Sequence, residues 1–157
     1  MQEKVTPVFI VATANDISSL PPEFLRKGRF DEMFFVDLPD ELERKQIWDI
    51  VIKRHGRKAA DFDSVALSRA AEQFTGAEID AVFVDSLFDS YLESREPSDL
   101  DLATAITRTV PLAKLMDGQI TALRHWAKGR AREAAGNRTT QIKNSRRVTT
   151  GGTNWDF

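Results

Sequence analysis

"MFFVDLPDELERKQIWDIVIKRH", residues 33–55, joins two kinds of pattern. Its first six residues form an apolar run suited to a strand. After Pro39 the pattern turns helical. Asp40 with Glu43 makes an acidic variant of a capping box, and apolar residues at 47, 48, 50, 51 and 52 ride a helix that Gly56 stops. Before this junction the chain reads as strand and short helix, and after it as helices only.

Toward the N-terminus lies "VFIVA" (8–12), a continuous β-branched and apolar run of the kind buried on both faces of a parallel sheet. It ends in "TAND", which puts Asn15 at the carboxyl end of a strand, where open α/β sheets collect ligands. "SSLPPEFLRKG" (18–28) predicts a short helix, with Pro21 and Pro22 entering its first turn and Gly28 as its C′ residue. Two strands cannot close a sheet with both faces buried. The expectation is therefore that "VFIVA" finds its neighbours outside this sequence, and that the chain is a piece of something larger.

Toward the C-terminus, Asp63 or Ser64 opens "SVALSRAAEQF", and Thr75 with Glu78 forms a capping box for "GAEIDAVFVDSLFDSYLES". Pro97 breaks that helix, Ser98 starts another, and Pro111 breaks it in turn. From Leu112 one long amphipathic helix is expected to reach about Ala135, with Gly136 ending it. The polar, basic remainder reads as disordered.

Composition narrows the function classes. The chain of 157 residues is 41% hydrophobic and 29% charged, which reads as soluble and globular, and it holds no membrane-length apolar run. Its first residues lack a signal-peptide pattern. With no cysteine there are no disulfides or thiolate metal sites, and His55 and His125 have no ligand spacing around them, so no metal site is expected among these residues. Charge is uneven: residues 1–123 carry 14 Lys and Arg against 22 Asp and Glu, whereas residues 124–147 carry eight basic residues against Glu133 alone. An acidic body with a basic tail is the electrostatic plan.

Taken in order, "VFIVATAND", "LPPEFLRKGRFDE", "DLPDELERKQIWDIVIKRH" and "FTGAEIDAVFVDS" resemble the second half of a AAA ATPase. The wording is similar to that of the uncharacterised AAA ATPases of cyanobacteria and red-algal plastids. The resemblance covers roughly residues 5–135. It implies an α/β fragment followed by helices: the end of a P-loop NTPase parallel sheet at 1–38, a helical lid subdomain with a long C-terminal helix at 39–135, and a basic, disordered tail at 136–157.

The resemblance also implies roles. Asn15 matches the sensor 1 asparagine that positions the attacking water. Arg26 and Arg29 match the arginine fingers that reach the γ-phosphate on a neighbouring subunit. Gly76 and Ala77 match the sensor 2 region beside the nucleotide, Ile47 matches an apolar contact to adenine, and Val51 falls where relatives often carry a histidine. Elementary chemistry agrees. Phosphoryl transfer needs positioning and stabilisation of spread negative charge, and a guanidinium offers paired planar donors that stay protonated.

The resemblance implies ATP and Mg²⁺ as ligands of a complete protein that remodels an unknown protein substrate, as a homo-hexamer in the cytoplasm or plastid stroma and without a membrane. No G-x-x-x-x-G-K-[ST] stretch occurs in the sequence, and Asp37 is followed by Leu38, so it is no Walker B acid. The isolated chain is expected not to hydrolyse ATP. Blander readings stand beside these. Arg26 and Arg29 also fit surface charges pairing with Glu23 and Glu32, Asn15 fits a plain turn residue, and Ile47, Trp48 and Ile50 fit the core. Two rival functions remain open: a stand-alone adaptor that docks on a AAA ring, and a nucleic-acid-binding protein acting through the basic tail.

Overall fold

The fold turns on Pro39: among the described residues every α-helix follows it, and only turns and one short strand precede it. The computed structural model describes residues 8–17, 20, 21, 23, 26 and 28–134. In chain order the elements are β1 (Phe34–Phe35), α1 (Glu41–Arg54), a 3₁₀ turn (Ala59–Asp61), α2 (Ser64–Ala70), α3 (Gly76–Leu92), α4 (Asp99–Arg108), α5 (Leu112–Leu115), α6 (Asp117–Ala127) and β2 (Arg132–Glu133).

The helix starts are set by local chemistry. Asp40 Oδ1 accepts from the Glu43 N–H at 2.8 Å while Glu43 returns the bond to the Asp40 N–H at 3.0 Å. Asp63 caps α2 through the Val65 and Ala66 N–H groups. Thr75 and Glu78 repeat the reciprocal box at α3. Gly56, with φ of +79°, closes α1 in the left-handed conformation that glycine adopts without penalty.

Helices α1 to α4 pack around one core. Trp48 and Ile52 from α1, Ile79 and Phe83 from α3, and Leu102 from α4 are fully buried, with Leu67, Ala71 and Phe74 closing the α2 side. The Trp48 Nε1–H has no acceptor among the described residues. An unsatisfied buried donor costs about 1–3 kcal/mol, and burying an indole's apolar surface returns roughly 4–6 kcal/mol, so the ring stays inside. Arg44, a charged residue on the same helix, is also buried. Its Nε donates to Ser68 O at 2.9 Å and its Nη1 to Pro39 O at 2.7 Å.

Four expectations need correction. Residues 8–12 form no strand: they carry no regular structure and are exposed, Phe9 at 93%. A strand's N–H and C=O groups need a neighbouring strand, and none lies beside them among the described residues. The 33–38 strand shrinks to Phe34–Phe35, and its partner is β2, paired in parallel as Phe34↔Arg132 and Phe35↔Glu133. The long helix is interrupted at Met116 and ends at Ala127, where Gly129, with φ of +79°, turns the chain toward β2. Ile50 is exposed, not core. The expected tail at 136–157 lies outside the described residues, as does part of the expected helix at 18–28.

Candidate functional site

The N-terminus of α3 is the best-built candidate. Thr75 Oγ1 accepts from the Glu78 N–H at 3.3 Å and donates to Glu78 Oε2 at 2.7 Å, and the Thr75 N–H also donates to Oε2 at 2.8 Å. The other oxygen, Oε1, accepts from the Leu112 N–H at 2.6 Å, tying the start of α5 to the same helix end. Partial burial pushes the Glu78 carboxyl up, but the Leu112 and Thr75 N–H groups and the Thr75 hydroxyl outweigh it and hold the group below its ordinary value. Glu78 thus stays ionised and fixed.

Gly76 and Ala77 follow the cap as the first helical residues, and the N–H groups at such positions lack intrahelical acceptors. A β-carbon on Gly76 would lie 3.8 Å from both Cδ1 and Cγ2 of Ile47. The fold therefore sets Ile47, half-buried on α1, against Gly76, with Ala77 exposed beside it. Val51, one turn further along α1, is turned into the core instead. Of the four residues expected at the nucleotide, the structure brings Ile47, Gly76 and Ala77 together as a surface edge and turns Val51 into the core.

The other three candidates stand apart. Asn15 lies exposed at a bend. Arg26 and Arg29 ride two successive turn bonds, Arg26 N–H to Glu23 O at 3.4 Å and Arg29 N–H to Arg26 O at 3.3 Å. Gly28 between them takes φ of +92°. Both arginine side chains are exposed, and neither pairs with Glu23 or Glu32 among the described residues. Glu32 instead lies 3.7 Å from Arg132. No described contact joins Asn15, Arg26 or Arg29 to Ile47 or Gly76.

Sequence reasoning missed a cluster around residues 37–40. Arg124 Nε donates to Asp37 Oδ2 at 2.8 Å and its Nη2 to Oδ1 at 2.8 Å, a two-pronged bond from α6 to the segment before α1. Partial burial raises the Asp37 carboxyl, but the Arg124 guanidinium and the Leu38 N–H bring it below the ordinary carboxylate range. No local pattern announces a pair 87 residues apart. His55 is likewise committed within the fold, its Nε2 lying 2.9 Å from Asp80 Oδ1 and its ring 5.3 Å from that of Phe83. Among the described residues no group of three or more His, Asp or Glu side chains is placed to hold a metal ion, and no helix is long and apolar enough to cross a membrane.

Comparison with known proteins finds relatives along most of the chain. An uncharacterized AAA domain-containing protein, ycf46, from Pyropia yezoensis is 45% identical over 137 residues, which is 86% of this chain and 28% of that protein. The protein of the same name from Trieres chinensis is 41% identical over 140 residues, 88% of this chain and 28% of its own length. A proteasome-activating nucleotidase from Saccharolobus islandicus is 37% identical over 103 residues, 64% of this chain and 26% of the nucleotidase. The chain thus spans about a quarter of the length of the curated relatives it matches. No family profile and no solved structure matches it.

Proposed function

Over most of its length the chain is homologous to AAA domain-containing proteins, and on that premise we propose that it is the C-terminal part of an ATP-hydrolysing AAA subunit. It supplies sensor 1 (Asn15), two arginine fingers (Arg26 and Arg29) and the lid, with the large α/β subdomain ending near residue 38. The observation that carries this reading is the Ile47–Gly76 edge. An apolar side chain lies against a glycine at the capped start of a 17-residue helix, with Ala77 exposed beside it. A flat apolar base fits against Ile47 where Gly76 presents no side chain, and first-turn N–H groups suit nearby negative charge.

In this reading the phosphate loop and the magnesium-binding acid belong to a preceding part of the subunit. Mg²⁺ and ATP supply the transferable phosphoryl group and its charge neutralisation when bound. The residues of this chain orient and stabilise. Asn15 holds a water by a neutral amide, which adds no charge of its own. Arg26 and Arg29, exposed and unpaired among the described residues, reach outward to a phosphate on the next subunit of a homo-hexameric ring. The ring turns hydrolysis into remodelling of a protein substrate.

The test needs the complete subunit. A variant carrying Arg26→Ala and Arg29→Ala should bind ATP normally and lose about 10³–10⁵ in turnover, the size of an arginine-finger effect. A second variant with intact fingers and a disabled phosphate loop should also be inactive. Mixed rings contain interfaces that pair an intact loop with intact fingers, so activity should partly return. Silence from rings shown to be mixed would overturn the assignment.

A further inference from the structure

The crossing from extended chain to helix is held from both sides. On the helical side, Arg44 reaches back from α1 to Pro39 O. On the other side, β2 and α6 return from the far end of the chain. The Arg132 N–H donates to Met33 O at 2.9 Å, the Ala134 N–H to Phe35 O at 2.8 Å, and Arg124 grips Asp37 with both prongs of its guanidinium. Asp37 is itself steadied by the Leu38 N–H at 2.7 Å. The arm that makes these bonds is anchored to the helical body at its start, through the Leu112 N–H on Glu78.

We propose that α5, α6 and β2 form a latch across the 36–40 crossing. It fixes the angle between the extended segment and the helical body, with Asp37 and Arg124 as its positioning residues. A segment joined to a body by one crossing of backbone swings about that crossing. A second tether, anchored at Glu78 and closing on residues 33–37, removes the swing. A ladder of two residues per strand is too short to hold by itself. The guanidinium fork supplies what it lacks, because two parallel bonds to one carboxylate set a plane as well as a distance. Partly exposed ion pairs add little to overall stability, so the latch should show itself in geometry and not in melting temperature. Its consequence, that Arg29 is held at a set position relative to the Ile47–Gly76 edge, rests on the proposed AAA reading. The latch itself does not.

The absence of cysteine makes the test direct. Asp31→Cys and Gln46→Cys, both at exposed positions, take spin labels on the extended segment and on α1 in the full 157-residue chain. The expected distance distribution is one narrow peak. Asp37→Asn should lose that peak to a broad distribution while helical circular dichroism stays unchanged. Exchanging the charges, Asp37→Arg with Arg124→Asp, should restore it. Arg132→Pro, which deletes the N–H that bonds Met33, gives an independent break and should also broaden the peak. A narrow peak retained in both Asp37→Asn and Arg132→Pro would overturn the latch. A charge-exchanged chain as broad as Asp37→Asn would overturn Asp37 and Arg124 as its positioning residues. Failure of the AAA reading appears elsewhere, in the mixed-ring turnover, and leaves these distances untouched.

Discussion

"VFIVA" at 8–12 and "AVFV" at 81–84 are built from nearly the same residues and meet opposite fates. Phe9 is 93% exposed on a chain without regular structure, and Phe83 is fully buried in α3. Hydrophobicity does not separate them. Hydrogen bonding does. A helix satisfies its backbone within its own segment, so α3 needs only a side-chain face to pack against, and α1, α2 and α4 provide it. A strand draws its backbone partners from other strands, and those partners are not among the described residues. The helices from residue 41 onward therefore pack on contacts of their own, whereas residues 8–12 form no strand.

The sharpest way to break this comparison is to truncate both phenylalanines. Phe83→Ala should cost about 3–5 kcal/mol in urea unfolding, a large part of the stability of so small a core. Phe9→Ala should stay within about 0.5 kcal/mol of the parent chain. Equal losses would mean that residues 8–12 pack as the core does.

Removing the cap on α3 sharpens the contrast at smaller scale. Thr75→Ala deletes the hydroxyl that bonds Glu78 and should cost about 0.5–2 kcal/mol in the same assay. Thr13→Ala, in the extended segment, should leave unfolding unchanged.

Acid gives a smaller, graded effect confined to the helical body and its latch. Asp37, Asp49, Glu78 and Asp101 all have folded-state values below their ordinary ones. For Asp101 the chief cause is the Arg95 guanidinium, with Ser98 adding to it. Their contribution is complete above the unfolded-state values near pH 4, and it is lost as pH falls through the lower folded-state values. Thermal unfolding followed from pH 7 to pH 2 should show a plateau down to about pH 5 and a decline below it. A decline beginning at neutral pH would contradict the assignment.

A small effect also belongs to the exposed pair Arg69–Glu41 at 2.9 Å, with both side chains more than half exposed. Arg69→Ala should change stability by no more than about 1 kcal/mol, and less in high salt.

What could be read from sequence divides along the same line. Helix starts were legible, because Asp40 with Glu43 and Thr75 with Glu78 act within four residues of chain. The interruption at Met116 and the exit at Gly129 were hidden by an apolar periodicity that runs on past Leu115. The Asp37–Arg124 bond was illegible, since each residue alone looks like ordinary surface charge. Arg44 was missed for a related reason: a charged residue inside a helical pattern is expected in water, and only the fold shows two carbonyls waiting for it. At the candidate site the meeting of Ile47 with Gly76 follows from the placement of α1 against α3. The withdrawal of Val51 into the core follows from its place one turn further along the buried stripe.

Hydrogen exchange tests the central claim most directly, because it reads the backbone bonding that separates the two regions. In the 157-residue chain the amides of residues 9–12 should exchange at nearly unprotected rates, while those of residues 82–86 exchange slowly, close to the limit set by global unfolding. In a complete subunit of the proposed AAA kind, the first set should become as protected as the second, as a strand does when its neighbours are present. Matching protection of both sets in the short chain, or continued fast exchange at 9–12 in the complete subunit, would contradict the account.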